Sequence, residues 1–250
     1  MDEDYRPATY GDRIAEVYDE WYTAGPGAGG ADDAVAFLSE LAGGGPALEL
    51  GIGTGRIALP LRASGVTVHG IDASTAMVEK LVAKGGDSIP VTIGSFADFE
   101  LEERFSLVYV VFNTFFALLS QDEQVACFRS VERHLGDGGV FVMEAFVPDL
   151  TRYHHDQNVS AAHVGADVVK LDVSVHDAVA QRATTQHVVI REGDLRLYPV
   201  QVRYAYVSEL DLMARLVGMR VRERWAGWRR EPFGAGAQRH VSVWERAPAR

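Results

Sequence analysis

The chain has 250 residues, 47% of them hydrophobic, which is enough apolar surface to form a sizeable core. Its 24 Lys and Arg face 35 Asp and Glu, and the formal charge of -11 repels phosphate backbones, so we expect no nucleic-acid partner. The acidic N-terminus is unlike a signal peptide, and no apolar run approaches the roughly 18 residues of a membrane span, which predicts a cytoplasmic protein without a membrane partner.

The first pattern along the chain is an amphipathic helix between Tyr10 and Tyr22, where apolar residues recur at helical spacing. A glycine-rich segment, residues 25–30, follows it and favours a flexible connection. We therefore expect a helix that opens and closes over a site, with Tyr10 and Tyr18 facing that site. Plain helix packing is the alternative for Tyr18, which falls on the apolar stripe.

The most informative segment is a short apolar run, Ala47 to Leu50, that breaks into glycines at alternate positions. A strand that ends at glycines and feeds a helix lets the backbone turn tightly and lets a ligand approach closely. The next apolar run ends in Asp72, about 20 residues on, where a carboxylate can hold the two hydroxyls of a ribose. The segment therefore predicts the nucleoside-binding half of a parallel sheet. Its glycines are Gly51, Gly53 and Gly55.

The spacing of these glycines separates the possible ligands. A dinucleotide site has the pattern G-x-G-x-x-G, whereas here the third glycine comes one residue early and Arg56 takes the last position. The pattern G-x-G-x-G after the acidic strand end at Glu49 resembles motif I of the class I S-adenosylmethionine (SAM) methyltransferases, which have a Rossmann-like fold.

Further blocks resemble that family in the same order. Residues 90–99 resemble the third strand and the adenine loop, 104–113 the fourth strand, and 135–144 the fifth strand with its preceding turn. Residues 10–22 resemble the helix that small-molecule members, such as antibiotic and amino-sugar N-methyltransferases, fold over the cofactor. Many relatives carry an acid at the positions of Ser95 and Ser106.

The resemblance implies that SAM is the cofactor and assigns residues to it. The glycines lie under the methionine part with Glu49 behind them, Asp72 holds the ribose, and Tyr18 and Arg56 meet the methionine tail. The expected cofactor-binding residues are Tyr18, Glu49, Gly51, Gly53, Gly55, Arg56, Asp72, Ala73, Ser95, Phe96 and Phe112. The expected catalytic residues are Tyr10, Tyr18, Asn113 and Phe116. Further candidates for acceptor binding or for a base are Glu144, Phe146, Tyr153, His154, His155, Trp225 and Trp228.

The chemistry of methyl transfer constrains the acceptor. Because SAM is already activated, the protein mainly places a lone pair near the methyl carbon and excludes water. An amine must arrive neutral, so a carboxylate, His or Tyr near it could take its proton. A hydroxyl needs a stronger base or a metal, and no metal-ligand spacing is evident, so we expect nitrogen or an acidic oxygen as the acceptor atom, and no metal ion.

Beyond residue 148 the pattern changes to alternation with period two. Runs at 168–175, 183–190 and 195–207 predict a three-stranded antiparallel insertion, followed by a helix at 210–217 and an edge hairpin. The predicted fold is therefore α/β: a doubly wound, seven-stranded, mostly parallel sheet with an antiparallel edge hairpin, a small antiparallel β insertion and an N-terminal helical lid. We expect one domain, 1–250, divided into the lid 5–42, the SAM-binding core 43–148, the insertion 149–207 and the C-terminal helix and hairpin 208–250.

The predicted function is transfer of a methyl group from SAM to a small-molecule acceptor, with an amine nitrogen of an antibiotic pathway favoured. A small-molecule O-methyltransferase and a non-methylating SAM-binding protein are the alternatives. An NAD-dependent oxidoreductase is disfavoured by the glycine spacing and by the lack of a Tyr-x-x-x-Lys motif. A homo-oligomer through the β insertion is a further expectation.

Overall fold

The structure is a computed structural model and describes residues 5–22 and 30–248. The α-helices are α1 (Thr9–Ile14), α2 (Tyr18–Tyr22), α3 (Ala31–Ala42), α4 (Ala58–Ala63), α5 (Thr75–Leu81), α6 (Gln121–His134) and α7 (Val207–Leu216). The strands are β1 (Ala47–Leu50), β2 (Val68–Asp72), β3 (Val91–Ile93), β4 (Phe105–Val110), β5 (Leu135–Phe146), β6 (Gln157–Val164), β7 (Val168–Asp177), β8 (Arg182–Arg191), β9 (Asp194–Arg203), β10 (Met219–Trp225) and β11 (Arg239–Arg246). No helix among the described residues is long and apolar enough to cross a membrane.

The larger sheet has seven strands in the order β10-β11-β5-β4-β1-β2-β3. Strands β1 to β5 pair in parallel, while β11 pairs antiparallel with both β5 and β10. Alternate residues of β4 enter different cores: Leu107 packs with α3 and α4, and Val108 packs with α6 and α7. Helices therefore cover both faces, and the predicted α/β fold is confirmed.

The order of the strands creates a crevice at one edge of this sheet. Strands β2 and β3 lie on one side of β1, and the chain then crosses to β4 on the other side. Connections leave β1 and β4 in opposite directions at their carboxyl ends, and ligands bind at such a switch point in open α/β sheets.

The second sheet is antiparallel and has four strands in the order β6-β7-β8-β9, so the prediction of three strands was wrong by one. Strand β6 was not predicted because its pairing with β7 shifts register between Ala161 and His163, which breaks the alternation that marks a strand. Its side chains Val159 and Val164 are also exposed. Strand β9 ends at Arg203 rather than at residue 207. The homo-oligomer expected through this sheet stays a prediction.

The N-terminal segment forms two short helices instead of the single predicted helix. A turn separates α1 from α2, in which the backbone N–H of Val17 donates to the carbonyl of Ile14 at 2.9 Å. Ile14 is fully buried and packs in one cluster with Met77 of α5 and Tyr198 of β9. The glycine-rich connector expected at 25–30 lies, except for Gly30, outside the described residues.

Candidate functional site

A cavity of about 1180 Å³ lies at the carboxyl ends of β1, β2 and β4. The N-terminal helices close one side of it, and the inner face of the second sheet closes another. Predicted site residues that line it are Tyr10, Tyr18, Glu49, Gly51, Gly53, Arg56, Asp72, Ala73, Ser95, Phe96, Phe112 and Asn113. Most residues that the sequence analysis assigned to cofactor or acceptor are thus brought to one cavity.

The glycines of the loop after β1 have two different roles. Gly51 has φ +73° and lines the cavity, and a Cβ there would lie 2.4 Å from Cγ2 of Thr114, so a side chain at this position would displace the cavity wall that the two residues share. Gly55 has φ +79° and does not line the cavity. Its missing Cβ makes room for Leu81 of α5, so Gly55 serves the packing of the loop on its helix.

Asp72, the last residue of β2, is held in a fixed orientation by backbone donors. Its carboxylate accepts the N–H of Gly53 at 2.7 Å and the N–H of Ser74 at 2.8 Å. Burial raises the pKa of Asp72, and these two backbone hydrogen bonds oppose that rise. A carboxylate offers about four acceptor sites, so Asp72 can also accept hydroxyl donors of a ligand.

Glu49 is buried at the floor of the cavity, 2% exposed. The hydroxyl of Tyr109, a residue that the sequence analysis did not single out, donates to its carboxylate at 3.0 Å. Burial raises the pKa of Glu49 to about 8, against the opposing effect of Tyr109 and Arg56. This carboxyl therefore keeps its proton to a higher pH than an exposed glutamate does.

Aromatic side chains and one guanidinium surround the glycine loop. The guanidinium of Arg56 lies 4.8 Å from the centre of the Phe112 ring, a cation–π arrangement. Burial raises the pKa of Tyr18 to about 12, while nearby Arg56 opposes the rise. The hydroxyls of Tyr10 and Tyr22 lie 3.4 Å apart, and burial raises the pKa of Tyr10 well above its usual value. These phenols stay protonated at neutral pH and can act only through their O–H and their rings.

The predicted adenine contacts lie beside Asp72. Ala73, Ser95 and Phe96 all line the cavity, and Phe96 is 8% exposed. The hydroxyl of Ser95 accepts the backbone N–H of Ala97 at 3.2 Å, which fixes the loop after β3. Contacts of these residues with adenine stay a prediction.

The end of β4 is a turn in which two non-glycine residues have positive φ, 57° at Phe112 and 66° at Asn113. Glu144 of β5 stabilises it by accepting the backbone N–H of Phe112 at 3.0 Å. The side-chain oxygen of Asn113 accepts the N–H of Phe146 at 2.7 Å. Such strained turns persist where surrounding contacts fix them, and they occur often at functional sites. Glu144 was expected near the acceptor, and it lines a neighbouring cavity of about 460 Å³ together with Trp228.

Phe116, predicted to be catalytic, is not brought together with the other predicted site residues, since it lines neither cavity. It is fully buried in the core, with its ring centre 4.9 Å from that of Phe146. The residue follows the strand by only a few positions, but the turn at Asn113 starts a short 3₁₀ helix (Thr114–Ala117) that directs the side chain inward. Of the further candidates, Phe146 and Tyr153 line the larger cavity. His154, His155 and Trp225 line neither cavity.

The inner face of the second sheet contributes a polar wall that the sequence analysis did not identify. Side chains from adjacent strands pair across it: Nδ1 of His187 lies 2.6 Å from the carboxylate of Asp172, and the hydroxyls of Ser174 and Thr185 are 2.8 Å apart. The wall is formed by Asn158, Ser160, Asp172, Ser174, Thr185 and His187. In the described part of the chain, no three His, Cys, Asp or Glu residues come together in a way that could hold a metal ion.

Comparison with known proteins relates this arrangement to one family. The profile of a family described as "Methyltransferase domain" matches residues 47–139, which include the glycine loop and Asp72. The structure of the CcbJ methyltransferase from Streptomyces caelestis superimposes with a TM-score of 0.92 at 42% sequence identity, covering 97% of this chain and 100% of that one.

Two curated relatives show weaker sequence similarity. The cypemycin N-terminal methyltransferase of a Streptomyces species is 29% identical over 245 residues, covering 96% of this chain and 98% of the relative. The dTDP-4-amino-2,3,4,6-tetradeoxy-D-glucose N,N-dimethyltransferase of Saccharopolyspora spinosa is 28% identical over 150 residues, which is 60% of each chain. The full-length matches include the second sheet as well as the core.

Proposed function

This chain belongs to the class I SAM-dependent methyltransferases, and we propose on that premise that it methylates an amine nitrogen of a small, polar molecule. The observation that carries the proposal is the single cavity that extends from Asp72 and the glycine loop to the polar wall of the second sheet. One end has the features of a nucleoside site, and the other end leaves room for a second molecule.

The cofactor is SAM, and the residues at the first end fit it. Gly51 brings bare backbone to the cavity surface, where a Cβ would collide with Thr114, and the carboxylate of Asp72 can accept ribose hydroxyls in addition to the N–H groups of Gly53 and Ser74. When bound, SAM supplies a methyl group on a positively charged sulfur. Arg56 suits the carboxylate of its methionine tail, and the hydroxyl of Tyr18 beside Arg56 offers a further hydrogen bond.

The remaining residues orient the acceptor and exclude water. Tyr10 of α1 and Tyr22 of α2 close one side of the cavity. The centre of the Tyr22 ring lies 4.9 Å from that of Phe112. The side-chain amide N–H groups of Asn113 have no hydrogen-bond partner among the described residues and can bind the acceptor at the end of β4. Positioning of this kind accounts for most of the rate enhancement that transfer from an activated methyl donor requires.

The choice of nitrogen is supported by the relatives and by the wall of the cavity. Of the two curated relatives described above, one is by name an N-terminal methyltransferase of cypemycin and the other an N,N-dimethyltransferase of a dTDP-linked amino sugar. The polar wall of hydroxyl, amide and carboxylate groups on the second sheet suits a molecule with several hydrogen-bonding groups.

The proposal is tested by following a deuterated methyl group from SAM to candidate acceptors. The panel contains nucleotide-linked amino sugars and peptides with a free N-terminus, each paired with an analogue that carries a hydroxyl in place of the amine. Mass spectrometry and NMR then locate the label. We expect the label on nitrogen, and no turnover of the hydroxyl analogue. Label on the oxygen of that analogue would contradict nitrogen as the acceptor atom.

A further inference from the structure

Asp172 and His187 form a hydrogen-bonded pair that lines the cavity and has no role in the cofactor site described above. The two residues lie opposite each other on β7 and β8, and their side chains point to the same face of the sheet. Nδ1 of His187 is 2.6 Å from Oδ1 of Asp172. The side chain of His187 is 21% exposed and that of Asp172 is 27% exposed, so the sheet holds the pair in place while leaving it open to the cavity.

The hydrogen bond determines which nitrogen of His187 is available. With Asp172 accepting, the proton of the neutral ring lies on Nδ1 and the lone pair lies on Nε2. Among the described residues, none hydrogen-bonds to Nε2 of His187. The ring is also held by Trp21, whose indole meets it edge-on with ring centres 6.1 Å apart. The pair thus presents one oriented proton acceptor.

Four other titratable groups that line the cavity are poorly suited to accept a proton. Burial raises the pKa of Tyr10 and of Tyr18, so both phenols are already protonated at neutral pH. Glu49 is buried and accepts the hydroxyl of Tyr109, while Asp72 is engaged by two backbone N–H groups. His187 is the one histidine that lines the cavity within residues 5–22 and 30–248.

Aromatic contacts connect the pair to the cofactor end of the cavity. Asp172 lies close enough to Tyr22 to contribute to the raised pKa of that phenol. The centre of the Tyr22 ring lies 4.9 Å from that of Phe112, and the guanidinium of Arg56 lies 4.8 Å from the centre of the same Phe112 ring. A molecule that touches Tyr22 from the cavity is therefore near both the pair and the cofactor end.

Charged and titratable groups near the pair lie on α2, β7, β8 and β9. On β7, the ammonium of Lys170 lies 4.2 Å from the centre of the Trp21 ring, and burial lowers its pKa. Glu20 of α2 forms a salt bridge with Arg191 of β8 at 2.7 Å. Tyr198 of β9 lies opposite His187 in the sheet register.

We propose that His187 takes the proton of the acceptor ammonium and that Asp172 is the positioning residue that orients the ring. The inference rests on the proposed function, because it requires an amine acceptor. The N–H bond of the ammonium breaks, its electron pair stays on nitrogen, and the proton moves to Nε2 of His187. Nitrogen then forms a bond to the methyl carbon while sulfur keeps the electrons of the broken S–C bond. The imidazolium finally releases its proton to solvent.

The orientation of the ring is tested without any acceptor. Long-range ¹H–¹⁵N NMR spectra of the protein, recorded at a pH at which the ring is neutral, distinguish its two tautomers. We expect His187 to carry its proton on Nδ1, and Asp172→Ala to shift the population towards protonated Nε2. A neutral His187 that is protonated on Nε2 in the unaltered protein would overturn the proposal, whatever the acceptor proves to be.

The role as a base is tested with the amine that the labelled-methyl screen identifies. His187→Asn keeps a donor in place of Nδ1–H and removes Nε2, and His163→Asn on exposed β6 is the matched control. We expect His187→Asn to lower kcat about 10²–10⁴-fold while S-adenosylhomocysteine affinity and Tm stay close to those of the control.

The loss should shrink as the pH rises towards the pKa of the acceptor amine, since more amine then arrives neutral. A loss of the same size at every pH, or an unchanged kcat, would overturn the role of His187 while leaving the proposed function intact. Failure of the unaltered protein to methylate any amine would instead contradict the proposed function, and the tautomer measurement would still decide the orientation of the ring.

Discussion

The carboxylate of Asp72 accepts the backbone N–H of Gly53 at 2.7 Å, so the end of β2 is tied directly to the glycine loop that follows β1. These two features are the strongest signals in the sequence, and in the fold they form one unit. The hydrogen bond orients Asp72 before any ligand arrives, which reduces the entropy cost of binding.

Replacing Asp72 with Ala should weaken binding of S-adenosylhomocysteine by about 1–3 kcal/mol, roughly tenfold to a hundredfold, because buried ribose hydroxyls lose their acceptor. Calorimetry measures the affinity, and Tm reports any effect of losing the bonds to Gly53 and Ser74. Asp137→Ala, in an exposed position, is the control. An affinity equal to that of the control would remove Asp72 from the site.

Substituting Gly51 should abolish cofactor binding for a steric reason. Gly51→Ala places a Cβ 2.4 Å from Thr114 in a backbone region with φ +73°. Gly218→Ala is a matched control, since Gly218 has φ +79° but no neighbouring atom within 4 Å of the added Cβ. Both variants should lose about 1–2 kcal/mol of stability from the left-handed backbone alone, and only Gly51→Ala should lose S-adenosylhomocysteine binding. Equal binding by both variants would show that the space at Gly51 is not part of the site.

The buried carboxyl of Glu49 should make stability depend on pH. Its pKa is raised from 4.5 to about 8, so between these values the native state keeps a proton that the unfolded state has lost. This contribution to stability is complete below the unfolded pKa and is lost as the pH rises through the folded pKa.

Glu49→Gln keeps an acceptor for Tyr109 and cannot ionise. Denaturant unfolding should therefore show that the variant gains stability relative to the parent protein as the pH rises from about 4.5 to about 8, by at most about 1.4 kcal/mol per pH unit. Glu16→Gln, with a side chain that is 82% exposed, should show no such gain. A pH-independent difference between parent and Glu49→Gln would mean that Glu49 is ionised throughout.

The N-terminal helices should act as a lid that S-adenosylhomocysteine stabilises. They are fastened to the core by a hydrogen bond from Ser74 to Asp12 at 2.6 Å and one from Thr54 to Asp19 at 2.7 Å, both beside the cofactor end. Opening must break these bonds, so hydrogen exchange of residues 10–22 should be fast in the free protein and slow in the complex. Helix α3 serves as the internal control. Equal protection of residues 10–22 in both states would indicate fixed packing helices.

The sequence predicted the cofactor half of the site well because the relevant signals are local. The strand that ends at Leu50, the glycines that follow and the carboxylate at Asp72 are each recognised within a few residues, and the parallel sheet necessarily brings strand ends together at one edge. The seven-stranded sheet with its antiparallel edge hairpin was confirmed for the same reason.

The acceptor half depends on relations between distant residues, which a pattern does not specify. Asp172 and His187 meet only because β7 and β8 pair in one register, and a shift of one residue would turn either side chain to the other face. Phe116 was assigned to the cavity from its position after β4, but the positive φ angles of Phe112 and Asn113 redirect the chain. No local signal marks Glu144 as the group that stabilises that turn.

A crystal structure of the protein with S-adenosylhomocysteine would test the proposed site most directly. We predict that both ribose hydroxyls lie within hydrogen-bond distance of the carboxylate of Asp72 and that the methionine part crosses Gly51 and Gly53. The sulfur should face the space between Phe112 and the wall that carries Asp172 and His187. A nucleoside bound elsewhere, or a sulfur that faces away from the second sheet, would contradict the proposed arrangement of cofactor and acceptor.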